Sequence, residues 1–99
     1  MKYYTIRLSP EAQTDLVQIY NHIASRSGSA ITADRYIERV SGFLASLNVF
    51  PERGTVRDEV REGLRIIGFE RSASIAFVVE GDDVVILRVL AKGQEFEGE

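Results

Sequence analysis

The apolar residues of this chain change period partway along it, and that change dictates the fold class. Between residues 12 and 47 they recur at three- and four-residue intervals: Ala12, Leu16, Ile19, Tyr20 and Ile23, then Ala33, Tyr36, Ile37, Val40, Phe43, Leu44 and Leu47. Such spacing gathers each set on one side of a helix. From residue 64 onward the pattern becomes that of strands: residues 64–69, 74–80 and 84–90 are rich in β-branched and aromatic residues. Turn-forming stretches at 70–73 and 81–83 separate them, and Ile75, Phe77 and Val79 alternate with Ser74, Ala76 and Val78. A three-stranded antiparallel meander with one strongly apolar face follows. Residues 4–8 also alternate, which adds a first strand ahead of the helices.

Local signals set the boundaries. Ser9 can cap the free N–H groups of a helix, Pro10 suits the first helical position, and Glu11 faces the positive end of the helix dipole. Gly28 is placed to leave that helix with positive φ. The second helix is then predicted from about residue 29 to about residue 47, and so short a connection makes the two an antiparallel hairpin. Residues 48–63 have no sustained period, contain Pro51, Gly54 and Gly63, and read as an extended connection with a helical turn within 56–62. The expected architecture is α+β, in the order β-α-α-β-β-β, with an antiparallel sheet packed against the helical hairpin. Ninety-nine residues suffice for one core, so residues 1–99 are read as a single domain.

Composition removes several chemistries. The chain has no cysteine, so disulfides, thiolate metal ligands and a thiol nucleophile are all excluded. Its single histidine, His22, limits any imidazole-based triad or metal site, and no metal or cofactor is expected. No apolar run approaches the roughly 20 residues needed to cross a bilayer, and Arg7 and Glu11 interrupt any leader-like start. No membrane association is expected, and the cytoplasm is the expected location. A net charge of −3 gives no electrostatic footprint for gripping nucleic acid. Apart from Lys2 and Lys92 the basic residues are all arginines, which suit bidentate contacts to carboxylates at protein interfaces as well as phosphate contacts.

Several polar residues sit where they invite a role. Arg65 and Arg88 fall on predicted strands in otherwise apolar stretches. They either face a target or pack their stems on the sheet and pair with an acid such as Glu70 or Glu80. Asp15, next to Leu16 on the first helix, is expected to form a structural ion pair, with Arg39 as one candidate partner. His22 reads as a partly solvated helix residue. Arg53, Arg57 and Arg61 alternate with Glu52, Asp58, Glu59 and Glu62, which describes either a solvated surface or a segment that orders against a partner.

Read in order, the residues resemble a known family. Ile6, Leu8, Ser9, Pro10, Ala12, Asp15, Leu16 and Ile19, followed by Ile23 and Ala24, resemble the opening of the ParE/RelE toxins of toxin–antitoxin modules. The likeness continues through Ala33, Tyr36 and Ile37, then Leu47, Pro51, Gly54 and Arg57, and ends with Gly63, Leu64 and Arg65 and the strand from Val85 to Leu90. No single piece is specific, but the ordered set, from about residue 4 to about residue 90, is. It implies a small toxin of a plasmid-stabilisation or chromosomal module, neutralised by a co-expressed ParD-like antitoxin in a hetero-oligomer. That antitoxin would have a DNA-binding N-terminal part and a disordered C-terminal segment that folds around the toxin.

Two activities belong to this family. RelE-like members cut mRNA in the ribosome, whereas ParE-like members poison DNA gyrase by binding. RNA cleavage needs a base, a cationic phosphate clamp and an acid. Where such toxins carry basic residues on the strands and a histidine after the last one, this chain has Ser74, Val78 and Ala91, and its tail adds Glu95, Glu97 and Glu99. A tail of that charge repels RNA. The resemblance therefore points to a ParE-like binding toxin without catalytic residues. The alternatives are a RelE-like endoribonuclease and a family member that still binds antitoxin but has lost toxicity. Expected target-binding residues are Arg65, Arg88, Lys92 and Phe96, and expected antitoxin-binding residues are Leu16, Tyr20, Tyr36, Arg57 and Arg61.

Overall fold

A computed structural model of the chain describes residues 1–92. Strand β1 (Thr5–Leu8) leads into helix α1 (Pro10–Ser27), and helix α2 (Ala30–Ala45) follows after only Gly28 and Ser29. A 3-10 turn, Ser46–Asn48, ends the helical half. Strands β2 (Thr55–Val56), β3 (Arg65–Phe69), β4 (Ala73–Glu80) and β5 (Asp83–Ala91) complete a five-stranded sheet ordered β1-β5-β4-β3-β2.

The start of α1 forms as its residues require. Ser9 has an extended backbone, its Oγ accepts the Ala12 N–H at 3.0 Å, and Pro10 occupies the first turn. The same hydroxyl donates to the Leu87 carbonyl at 2.8 Å, so one side chain caps the helix and ties it to β5. Gly28, at φ +69°, closes α1 through its N–H on Ala24 O, and Ser29 caps α2 by accepting the Thr32 N–H at 3.2 Å. The hairpin is antiparallel, as so short a connection demands.

Beneath the hairpin lies one apolar cluster. Ala12, Val40, Leu44 and Leu47 meet Phe69, Ile75, Phe77, Val84, Ile86 and Val89 of the sheet. Ala12 and Ala33 are fully buried, and their small side chains let the helices approach each other and the strands closely. Ile75 and Phe77 face the helices as their alternation predicts. Ala76 and Val78, on the opposite face, are buried as well and lie outside that cluster, together with Leu64 and Leu90. Both faces of β4 are thus apolar.

Three features depart from the sequence-based expectation. The meander β3-β4-β5 is antiparallel, but β1 pairs parallel with β5, from Thr5↔Asp83 to Leu8↔Ile86, so the sheet is mixed. Alternation tells which face of a strand is buried and carries no information about its neighbour. Second, Thr55 and Val56 pair with Ile66 and Arg65 as a short edge strand. Beyond them the Val60 and Arg61 amides both donate to Arg57 O, forming a single turn where the helical turn was expected. Gly54 makes the edge strand possible: at φ +82° it passes so close to β3 that a Cβ would stand 2.3 Å from Ile66 O. Third, the pairing of β4 with β5 slips between Ala76↔Arg88 and Phe77↔Ile86, leaving Leu87 as the extra residue of a β-bulge.

The β3–β4 turn carries strain. Glu70 and Arg71 stand at φ +49° and +57°, a left-handed pair that turns of this shape normally fill with asparagine and glycine. Contacts from α2 hold it. Arg39 grips Glu70 through two hydrogen bonds, at 2.8 and 3.2 Å, and the Tyr36 hydroxyl bonds Ser72 Oγ at 2.7 Å. Arg71 has no such anchor among the described residues. Replacing Arg71 with glycine should relieve the left-handed penalty and stabilise the protein by about 1 kcal/mol, read as a higher urea midpoint with an unchanged slope.

Candidate functional site

Strand β1 covers the edge of β5 only as far as Ile86, because the chain turns into α1 at Ser9. Beyond that point β5 would present a bare edge, and a side chain from α1 takes over from the missing strand. Asp15 Oδ2 accepts the Val89 backbone N–H at 2.9 Å and the Arg88 Nε–H at 2.7 Å, while Oδ1 accepts Arg88 Nη2 at 2.9 Å. The bulge at Leu87 is what lets Arg88 and the Val89 N–H reach the same carboxylate. The side chain of Asp15 is 8% exposed and that of Arg88 35%, so the pair is shielded on the acid side and solvated on the base side. Two carboxylate oxygens meeting a guanidinium fork and a main-chain donor form a charge-assisted network with its hydrogen bonds satisfied.

Past this clamp α1 overhangs the sheet. Only Ala12 and Asp15 of α1 are buried, while Ile19, Tyr20, Ile23 and Ala24 of its second half are half-buried. The space beneath is an open cleft of about 640 Å³, lined by Ile19, His22 and Ile23 of α1, by Tyr36 of α2, and by Val89 and Lys92 at the end of β5. Its lining is mostly apolar with a cationic end. His22 is exposed at its rim. A second groove, of about 390 Å³, runs along the outer side of β1 between Tyr4, Ile6 and Leu8 and the helices at Leu16, Leu44 and Ala45.

The residues singled out from the sequence fall in several places. Arg88 is held by Asp15 across to α1, neither by Glu70 nor by Glu80, and Asp15 therefore pairs with Arg88 where Arg39 was the candidate. Arg39 instead takes Glu70. The sequence could not foresee this exchange, because the bulge that aims Arg88 leaves no mark in the pattern of residues. Arg65 lies on β3, half-buried, opposite Phe77 and beside Val56. Strand β4 separates it from Arg88, so the two do not form one basic pair. Lys92 follows β5, bonds Ser72 O through its N–H and lines the large cleft. Phe96 lies outside the described residues.

Of the residues expected to meet a partner, Tyr36 lines the large cleft and Leu16 the groove beside β1, whereas Tyr20 is half-buried on α1. Arg57 and Arg61 stand on the turn before β3. There the Arg57 guanidinium, 2.6 Å from Glu59, holds that carboxyl below its ordinary range by hydrogen bonding. Both side chains are solvated, so the pair contributes little to stability. Among the described residues no group of three or more His, Cys, Asp or Glu side chains is placed to hold a metal ion. Ser74 and Val78 lie on the face of β4 away from the helices, where buried Ala76 stands between them and their partners on β5 are Leu90 and Val85, with Arg88 opposite Ala76.

This geometry has known relatives. A sequence profile described as "ParE toxin of type II toxin-antitoxin system, parDE" matches residues 6–96. The chain belongs to the ParE toxin family. It is similar to Toxin ParE3 of Caulobacter vibrioides, at 29% identity over 76 residues that cover 77% of this chain and 74% of that protein. Among solved structures it resembles a chain of the chromosomal ParDE toxin–antitoxin system from P. aeruginosa, with a TM-score of 0.78 and 24% identity over 90% of this chain and 96% of that one. It also resembles a chain of the toxin–antitoxin complex RelBE2 from Mycobacterium tuberculosis, with a TM-score of 0.66 and 23% identity over 95% and 97%. The two structural likenesses are matters of fold. They bear out the α+β architecture of two helices on a mainly antiparallel sheet, and the profile bears out the ParE resemblance. No helix of the described residues is long and apolar enough to cross a membrane.

In a ParE toxin built this way the Asp15 clamp should be a main determinant of stability. Asp15→Ala leaves the Val89 N–H unpaired and takes from Arg88 the two hydrogen bonds it makes to that carboxylate. A loss of about 3 kcal/mol in urea unfolding is expected, with Arg88 solvation keeping it at the lower end of the range for broken buried pairs. Hydrogen exchange at the Val89 amide should accelerate beyond what the global loss of stability explains.

Proposed function

We propose that the chain is a toxin that acts by binding, that its target is DNA gyrase, and that a ParD-like antitoxin neutralises it in a hetero-oligomeric complex. Membership of the ParE family supports the toxin reading. The observation that carries binding over catalysis is the far face of β4. RNA cleavage requires a cationic clamp and proton-transfer groups around the scissile phosphate. In this chain Ser74, Ala76 and Val78 occupy that strand, with buried Leu64 and Leu90 on the same side of the core cluster. Those β4 side chains bring a phosphate no charge of their own, and the cation across from Ala76, Arg88, is engaged by Asp15. The acidic residues Glu95, Glu97 and Glu99 of the tail weigh in the same direction.

On this reading Arg65, Lys92 and Phe96 contact the target. Arg88, held by Asp15, takes part in the target surface from the solvated side of β5. The antitoxin covers the openings lined by Leu16 and Tyr36 together with Tyr20 on α1, and orders against Arg57 and Arg61. Its acids are matched to those arginines.

The decisive experiment induces the chain alone in a bacterial host and compares cell shape, plasmid supercoiling and mRNA integrity. Filamentous growth, altered supercoiling and intact message are expected, relieved by co-expression of the adjacent open reading frame. Cleaved message with rapid arrest of translation would assign the ribonuclease activity instead. Growth without any phenotype, despite a tight complex with the adjacent product, would assign a member that has lost its target. Arg65→Ala should reduce inhibition of gyrase supercoiling in vitro by tenfold or more while antitoxin binding stays within a factor of two.

A further inference from the structure

The β3–β4 turn is fixed at every residue but one. Phe69 sets its ring edge-on to Tyr36 and tilted against Phe43, with centroids 5.9 and 5.2 Å apart. Glu70 is gripped by Arg39. The Ser72 N–H donates to Phe69 O at 2.9 Å, its Oγ bonds the Tyr36 hydroxyl, and its carbonyl accepts the Lys92 N–H at 3.0 Å. Arg71 stands exposed at the tip, and none of these contacts uses its side chain. Yet its backbone is held at φ +57°, in a region that glycine and asparagine enter far more readily than arginine. The fold makes no use of a guanidinium here and would be relieved without it. Strain imposed by the surroundings, at a side chain that the fold leaves unused, is the pattern of a residue presented to something outside the chain.

A second cation stands beside it. The Lys92 N–H bond to Ser72 O continues the pairing of β4 with β5 one residue past Ala73↔Ala91. Lys92 therefore lies alongside the residue that follows Arg71, and it too is exposed. Neither forms an ion pair with a carboxylate of the described residues, whereas Arg39 and Arg88 are each matched to an acid. This corner of the sheet thus carries two positive charges without counter-charges among the described residues, on a chain whose net charge is −3.

The number and kind of these cations state what they can hold. A polynucleotide is gripped through a run of phosphates by many cations, and its affinity grows with their number. Two cations on an acidic chain make a poor track for it. They suit a pair of carboxylates: the guanidinium forks onto one through two parallel hydrogen bonds, and the ammonium meets its neighbour as a point charge. We infer that Arg71 and Lys92 form a recognition corner for an acidic surface of the protein that this toxin inhibits, with Arg71 as a specificity-determining contact. The inference rests on the reading of the chain as a toxin that binds its target, and adds to it a residue and the chemistry of the surface it meets.

The test compares the full chain with its Arg71→Gly variant. Half-inhibition of gyrase supercoiling should need at least tenfold more of the variant, even though the variant is the more resistant to urea. A merely structural role for Arg71 would move stability and inhibition in the same direction. Arg71→Glu should weaken inhibition further still, and inhibition by Arg71→Gly should depend less steeply on salt than that by the unsubstituted chain. Affinity for the product of the adjacent open reading frame should stay within a factor of two. Equal inhibition by the unsubstituted chain and Arg71→Gly would overturn the recognition corner and leave the binding toxin intact. A loss of affinity for the adjacent product that matches the loss of inhibition would also overturn it, by assigning Arg71 to the antitoxin surface. Gel-shift binding to a DNA duplex without gyrase, abolished by Arg71→Gly, would assign the cations to phosphates and overturn the acidic protein surface. An unsubstituted chain without effect on gyrase would overturn both the target and the corner.

Discussion

The carboxylate of Asp15 holds the two halves of this protein together. Strand β1 leaves β5 uncovered from Leu87 onward, and a sheet edge beneath a helix can be closed only by a donor–acceptor partner of the right shape. Asp15 supplies it from α1, binding the Val89 main chain and the Arg88 guanidinium at once. The helix is anchored six residues earlier by Ser9, whose hydroxyl caps α1 and reaches Leu87 O. Together these contacts fix α1 to the bulged part of β5. They thereby fix the side of α1 that lines the large cleft.

Much of this architecture could be read in the residues. The two helical stripes and the meander follow from periodicity, because one face of each element must be buried and the spacing of apolar residues states which. Ser9, Pro10 and Gly28 mark the helix limits to within a residue, since each acts through local geometry alone. What stayed hidden depends on pairing over long distances. The parallel partner of β1, the edge strand at Thr55 and the bulge at Leu87 are settled by register, and alternation is the same for every register of the same parity.

The candidate site was less legible than the fold for the same reason. Asp15 and Arg88 each stood out as a charge on an apolar element, yet 73 residues separate them and each had a closer apparent partner. Arg39 and Glu70 show the converse: their pairing depends on a left-handed turn at two non-glycine residues, which sequence patterns disfavour. The apolar character of the far face of β4 was visible in Ala76 and Val78. Its meaning emerged only once both faces of that strand proved buried.

The parallel pairing of β1 with β5 also has a consequence for synthesis on the ribosome. The first strand waits for the last: Leu8 cannot meet Ile86, nor Asp15 reach Val89, until nearly the whole chain has emerged. Contacts of such high sequence separation slow folding, and the helical hairpin meanwhile has its apolar side uncovered. The nascent polypeptide thus cannot complete its sheet until its final strand is made. During that interval its exposed hairpin is available to any partner chain translated alongside it.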